Sequence, residues 1–304
     1  MKAKIYIVLT ILISFVSLIL ACETMSKVVD AGAQVAGATG VITQNTADAI
    51  SNSSKAIGAA AETINPEQEY YIGRAVAANI LAKYKIYNGN PALTLYLNKI
   101  CDAITLNSPR PDVYNGYHVA ILDSNEINAF ATSGGHILVT RGLVNAAKSE
   151  DALAGVIAHE VAHIQLQHSI KAIKTSRITQ ALMVTGTSAA GAAAGMNVNQ
   201  LTDVFTESVG EIVQTVVNNG YSQTQEFDAD NTALSLLASA GYSPSGLIDM
   251  LRELRAVQSG SSGGFNKTHP TPAQRITNAE KSVNKYSVTD TRSYRQARFG
   301  SVTR

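Results

Sequence analysis

The sequence predicts an α+β protein, mainly helical, with a small and mostly antiparallel sheet beside one central helix. Three observations carry that expectation. Leu153, Val156, Ile157, Val161 and Ile164 recur at helical spacing across Glu150–Gln165, the pattern of a helix packed into a core. Tyr117–Asp123, Asn128–Thr132 and His136–Thr140 read as strands, the last two flanking Ser133-Gly134-Gly135, where glycines supply the positive φ of a hairpin turn. Further helical patterns precede and follow them, at Pro66–Leu81, Pro91–Thr105, Glu226–Leu237 and Ser245–Val257.

From the amino terminus, residues 1–21 carry Lys2 and Lys4 and then an apolar run, Ile5–Leu20. The run is short for a membrane span and suits a secretory signal. Its end, Leu18-Ile19-Leu20-Ala21-Cys22, resembles a bacterial lipobox, so Cys22 is the expected lipidation site, and two or three acyl chains there would anchor the chain stably. Residues 22–65, rich in Ala, Gly, Ser, Thr and Asn, are expected to form a flexible, partly helical tether. The remaining cysteine, Cys101, lies among Leu97, Ile100 and Ile104. A single thiol forms no internal disulfide, and it reads as a core residue. A net charge of +1 among 304 residues, with no basic patch or aromatic stacking series, gives no case for nucleic acid.

Pro66 stands where its missing N–H costs a helix nothing, with Ile72, Val76, Ile80 and Leu81 as the apolar stripe. The strand Asn128-Ala129-Phe130 is the expected sheet edge, whose unpaired N–H and C=O groups can hold an extended peptide by its backbone. Glu150 and Asp151 oppose the positive end of the next helix and favour its start there. Within that helix stands His159-Glu160-Val161-Ala162-His163. Residues four apart share a helix face, so the two imidazoles can hold two corners of a Zn²⁺ tetrahedron. Glu160 is placed to act as general base on a water. Burying two His and a Glu together without a shared partner is costly, and a metal removes that cost.

Residues 178–195 are apolar but dominated by Ala, Gly, Thr and Ser; a lid over the cleft is expected, a membrane insertion being the alternative. Val204–Val216 reads as an amphipathic helix. Glu226 and Asp230 then repeat the four-residue spacing. Glu226 can supply the third ligand, and Asp230 can accept a hydrogen bond from the far nitrogen of a ligating His. His168 is a rival third ligand, but a histidine-rich long motif would need Gly at 166, where Leu166 stands, so His168 reads as a polar residue near the end of the helix. The Ser/Gly loop 259–264 leads to Thr268-His269-Pro270, and residues 286–304 read as a loose tail.

His159–His163, then Gly220–Asp230, then His269-Pro270-Thr271-Pro272-Ala273-Gln274-Arg275 together resemble the gluzincin family that contains the CAAX prenyl proteases and HtpX, in its periplasmic, outer-membrane-associated BepA/LoiP-like lipoprotein branch. The resemblance covers roughly residues 66–283 and places a zinc metallopeptidase domain at 66–285. It implies a zincin-type fold, one Zn²⁺ per chain on His159, His163 and Glu226, and active-site roles for His269 and Arg275. His269 can donate a hydrogen bond to the oxyanion of the tetrahedral intermediate or occupy the fourth zinc position and switch the enzyme off. Arg275 can orient a carboxylate or the oxyanion.

The expected function is a membrane-anchored zinc endopeptidase of the bacterial envelope, facing the periplasm and held to the outer rather than the inner membrane. Its substrates would be misfolded or unassembled envelope proteins, with outer-membrane assembly machinery as a further partner. The alternative is a chaperone or assembly factor whose zinc site is latent.

Overall fold

The computed structural model describes residues 64–171, 209–257, 264–269 and 272–303, with scattered positions between Asp30 and Ser51. Cys22, the signal segment 1–21, most of the tether and the lid segment 178–195 lie outside the described residues. The chain forms two compact units, one of residues 1–63 and 173–205, the other of 64–172 and 206–304. In the first, the described positions are mostly helical and the Ser51 hydroxyl meets the Asp30 carboxylate.

In the second unit, helices begin where local chemistry dictates. Helix α1, Pro66–Leu81, is capped by Asn65, whose side chain accepts from Gln68 N while the Gln68 side chain accepts from Asn65 N, each at 2.9 Å; the reciprocal bonds satisfy two otherwise orphaned donors. Ile72, Val76 and Ile80 face inward, while Leu81 turns out to solvent. Helix α2, Pro91–Leu106, is capped by Asn90 and buries Leu97, Ile100 and Ile104. Cys101 lies among them, fully buried, and burial pushes its thiol up to about 12, so it acts as a small core residue.

The sheet has three strands, β1 (His118–Leu122), β2 (Ala129–Thr132) and β3 (His136–Thr140), in the order β1-β3-β2. The hairpin β2–β3 is antiparallel as expected, but β1 joins β3 in parallel. The sheet is mixed because the hairpin sets its second strand, not its first, beside β1. The outer edge of β1 is closed: the Asn98 side chain of α2 pairs with both the N–H and C=O of Val119, at 2.9 and 2.8 Å, and Tyr87 N donates to Ile121 O at 2.8 Å. The start of the outer edge of β2 is partly met, Phe265 N donating to Ile127 O at 2.8 Å and Ala129 N to the Asn128 side chain at 2.9 Å.

After the short helix α3 (Arg141–Ala146), helix α4 (Glu150–Gln165) runs through the centre, every residue from Glu150 to Ile164 buried. Ser149 caps it, accepting from Ala152 N at 3.1 Å. α5 (Gln223–Ser239) and α6 (Ser245–Val257) pack along it, and α7 (Phe265–Thr268) and α8 (Pro272–Val283) follow. Between the insert and α5 the chain passes through a π-helical turn, Gln214–Asn219, with Val216 buried; Val204 lies outside the described residues. No described helix is long and apolar enough to cross a membrane.

The segment 286–304, expected as a loose tail, contains helix α9 (Arg292–Val302) docked on the start of α4. The cause is electrostatic. Glu150 and Asp151, which favour the α4 start, are both buried and need cations. Arg298 Nε donates to Glu150 at 3.1 Å and Arg295 Nε lies 2.9 Å from Asp151, while Tyr96 donates to Glu150 at 2.8 Å.

Close helix approach depends on Gly155 and Gly246. A Cβ on Gly155 would lie 2.7 Å from Leu247 Cα, and one on Gly246 would lie 2.3 Å from Asp151 O, so α4 and α6 meet backbone to backbone. Gly155→Ala is expected to cost about 1–3 kcal/mol by forcing that crossing apart. Gly210→Ala, with nothing within 4 Å, is expected to be neutral or stabilising. Urea denaturation of the two variants checks this, and equal effects would count against the crossing.

Candidate metal centre

Four buried side chains converge between α4, α5 and the segment after α7. His159 and His163 stand one turn apart on α4; Glu226 lies in the first turn of α5; His269 follows α7 directly. One donor atom from each lies within 4.8 Å of the others. His159 Nε2 is 3.0 Å from His163 Nε2, 3.3 Å from His269 Nδ1 and 3.5 Å from Glu226 Oε2. Glu226 Oε1 is 3.5 Å from His163 Nε2 and 3.1 Å from His269 Nδ1. A tetrahedron with metal–ligand bonds near 2.1 Å has edges of about 3.4 Å, so these separations fit one ion.

Charge says the same. Glu160, Glu226 and Asp230 are fully buried, and so is Arg275. Three carboxylates against one guanidinium leave two negative charges in a low-dielectric interior, a state tolerated only with compensation. A dication supplies that compensation. Among the described residues, both oxygens of Glu160 are buried without a hydrogen-bond partner, as expected of a group that meets a water.

Each α4 histidine turns Nε2 inward and gives Nδ1 to a second residue. His159 Nδ1 lies 3.0 Å from Asp230 Oδ1. His163 Nδ1 lies 2.9 Å from His168 Nδ1, and its ring stacks on Tyr221 at 4.1 Å and 21°. Arg275 grips Asp230 with two bonds, Nε to Oδ2 at 2.9 Å and Nη2 to Oδ1 at 2.7 Å, while Nη1 stands 2.9 Å from Glu226 Oε2. Arg275 thus contacts two carboxylates, Asp230 and Glu226.

His269 is held as firmly. Its ring stacks on Phe265 at 4.4 Å and 21°. Thr268 donates to Asn128 Oδ1 at 3.0 Å, Phe265 N donates to Ile127 O at 2.8 Å, and Tyr221 N donates to Thr268 O at 3.2 Å. Gly220, at φ 77°, allows that last approach, since a Cβ there would lie 2.6 Å from Thr268 O. Nε2 of His269 stands 3.6 Å from Glu160 Oε1. The edge-strand residues Asn128, Ala129 and Phe130 are buried beside this segment, and the Asn128 side chain is engaged with Thr268 and with Ala129 N.

Proton affinities follow the packing. Burial raises the Glu160 carboxyl above its ordinary value, which suits a general base. Burial would also raise Glu226, but His269 and Arg275 hold it well below the carboxylate range. Burial and Arg275 oppose a proton on His159, yet Asp230 and Glu226 prevail and take it up to about 9, a measure of how strongly this pocket attracts positive charge. Burial leaves His163 well below its ordinary value.

Sequence reasoning did not single out Tyr221, and it read His168 as a polar residue near the helix end, where the structure sets its Nδ1 2.9 Å from His163 Nδ1. The signal for Tyr221 was present: Ser222 caps α5 in a reciprocal box with Gln225, and that fixes the preceding residue against the metal-binding helix.

Asp230 yields a test of the ion pair. Burial opposes its charge, but Arg275 lowers its pKa from an ordinary 3.8 to about 2. A carboxylate depressed on folding stabilises the fold above its unfolded pKa and loses that contribution as pH falls through the folded one. The shift corresponds to about 2 kcal/mol. In chelator-treated protein, the gap in urea midpoint between parent and Asp230→Asn is expected to be widest above pH 4 and to narrow toward pH 2; a gap independent of pH would contradict the pairing.

Comparison with known proteins agrees with this geometry. Metalloprotease LoiP of Escherichia coli K12 is 31% identical over 152 residues, 50% of this chain and 57% of the relative. The beta-barrel assembly-enhancing protease of the same organism is 25% identical over 227 residues, 74% of this chain and 46% of the relative. Mitochondrial metalloendopeptidase OMA1 of Schizosaccharomyces pombe is 29% identical over 190 residues, 62% of this chain and 52% of the relative. The chain thus spans about half the length of the curated relatives it matches. The family model described as peptidase family M48 matches residues 91–283, from α2 through α8 and so across all four converging side chains, and the chain belongs to that family.

Proposed function

We propose that this chain is a zinc-dependent endopeptidase of the bacterial envelope, acting on misfolded or unassembled envelope proteins. The observation that carries the reading is the convergence of His159, His163 and Glu226 beside a buried Glu160 whose oxygens have no hydrogen-bond partner among the described residues. The names of the relatives, metalloproteases and a beta-barrel assembly-enhancing protease, support the reaction and the substrate class. Lipidation at Cys22, an outer-membrane location facing the periplasm and contact with outer-membrane assembly machinery are part of the proposal and rest on the lipobox-like sequence and on those names.

In this reading His159, His163 and Glu226 hold one Zn²⁺. Bound there, the ion supplies Lewis acidity toward the scissile carbonyl and makes an attacking water more acidic. Glu160 takes the proton of the attacking water and later delivers it to the leaving amine. Asp230 holds His159 by its Nδ1–H, and Arg275 holds Asp230 and Glu226 in place. The outer edge of β2, at Asn128, Ala129 and Phe130, offers backbone groups to an extended substrate, which gives little side-chain selectivity and suits unfolded chains. Glu160→Gln is expected to retain zinc and lose about 10²–10⁴ in cleavage rate; undiminished casein cleavage by a zinc-replete variant would overturn the mechanism.

A second reading is favoured by His269. Its Nδ1 fills the fourth corner of the donor set and its Nε2 faces Glu160, so it stands where substrate and water would enter. That supports a latent enzyme, or an assembly factor that seldom cleaves. His269→Ala is expected to raise cleavage of unfolded protein about tenfold, the effect of relieving a closed state favoured by about 1.4 kcal/mol. A fall in rate at unchanged zinc content would instead make His269 a donor to the oxyanion.

A further inference from the structure

We infer that His168 is a positioning residue for the metal ligand His163, fixing its tautomer and ring plane through an Nδ1-to-Nδ1 hydrogen bond, and that the turn at Gln167 exists to deliver it. The inference rests on the metal-centre reading above.

The protons are determined by the geometry. His163 directs Nε2 at His159 Nε2 and Glu226 Oε1, so Nε2 is the nitrogen that must be bare to bind a cation. A neutral imidazole carries one proton, which therefore sits on Nδ1. His168 Nδ1, 2.9 Å away, must accept it, and the proton of His168 is consequently on Nε2. This is the arrangement Asp230 provides for His159, with a neutral acceptor in place of a carboxylate. The difference has a consequence. A second carboxylate here would add a third uncompensated negative charge to the buried site, whereas an imidazole orients the ligand without adding charge.

The backbone supplies an independent observation. Gln167, at φ 54°, is the one described non-glycine residue with positive φ; it stands just past the helix end, where a left-handed residue is common but is usually glycine. It follows the end of α4, whose last bonds are Leu166 N to Ala162 O at 2.9 Å and Gln167 N to Ile164 O at 3.0 Å. A helix continued through residue 167 would carry position 168 about 140° around the axis from His163. The left-handed turn instead folds His168 back against the face that carries His163. The turn is pinned from α1: the Gln167 side chain donates to the Glu69 carboxylate, which also receives Arg110 Nη2 at 2.8 Å. Glu69 is itself buried. Tyr221 stacks on the open face of His163, so the ring is fixed in plane by His168 and face-on by Tyr221.

The test compares His168→Asn, whose Oδ1 can replace the Nδ1 acceptor, with His168→Ala, which removes it. The readout is zinc dissociation constant by competition with a chromophoric chelator on the full chain, with circular dichroism to confirm folding. Loss of such an outer hydrogen bond weakens metal affinity about 10–100-fold. That loss is expected for His168→Ala, with affinity within about threefold of the parent for His168→Asn. Equal affinities in parent and His168→Ala, or equal losses in Asn and Ala, would overturn the inference while leaving the metal centre standing; a parent chain that binds no zinc would instead overturn the metal centre. Should His168→Ala fail to fold, ¹⁵N spectra of the imidazoles in the zinc-loaded parent decide the matter. A proton on His163 Nδ1 with His168 Nδ1 bare supports the inference, and a proton on His168 Nδ1 overturns it.

Discussion

Two buried negative charges without a protein partner organise this molecule. Glu160, Glu226 and Asp230 are sealed from solvent with Arg275 as their cation, and the imbalance draws in positive charge, whether a proton on His159 or a bound cation. Much of the surrounding architecture serves to hold that imbalance in place. Arg275 takes Asp230 in a two-bond fork, which fixes plane as well as distance; a lysine at that position would supply charge without the plane. Asp230 in turn sets the orientation of His159.

The rigidity of the surroundings follows from α4. A helix buried on all sides has no solvent-facing stripe to relax into, and its neighbours approach at backbone distance through Gly155 and Gly246. Its first turn is held by Arg295 and Arg298 of α9, its last by the turn at Gln167. Between those two fixed ends the histidines have few alternative positions. The sheet contributes by having one edge closed, through Asn98 and Tyr87, and the other, on β2, adjoining the segment that carries His269.

Local signals were the legible part of the sequence. Helical spacing revealed α4 and its paired imidazoles, the four-residue spacing of Glu226 and Asp230 revealed their shared face, and Ser133-Gly134-Gly135 revealed the hairpin. What escaped depends on contacts between segments distant in the chain. The parallel pairing of β1 with β3 follows from which hairpin strand is set innermost, and no periodicity records that. Helix α9 reads as a tail because its three arginines interrupt any apolar stripe; its docking depends on a pair of carboxylates about 150 residues earlier. His168 reads as a polar residue after a helix, since only the left-handed turn at Gln167, pinned by Glu69 from α1, brings it beneath His163. Tyr221 lay unremarked in a motif whose acidic residues drew the attention.

The central claim is that the buried charge imbalance is a site for one dication. Metal analysis combined with X-ray absorption at the zinc edge, on the full chain purified without chelators and supplied with zinc, tests it most directly. The account predicts about one zinc per chain in a shell of imidazole nitrogens and carboxylate oxygen. A folded chain that retains no zinc, or one whose zinc is surrounded mainly by water, would contradict it.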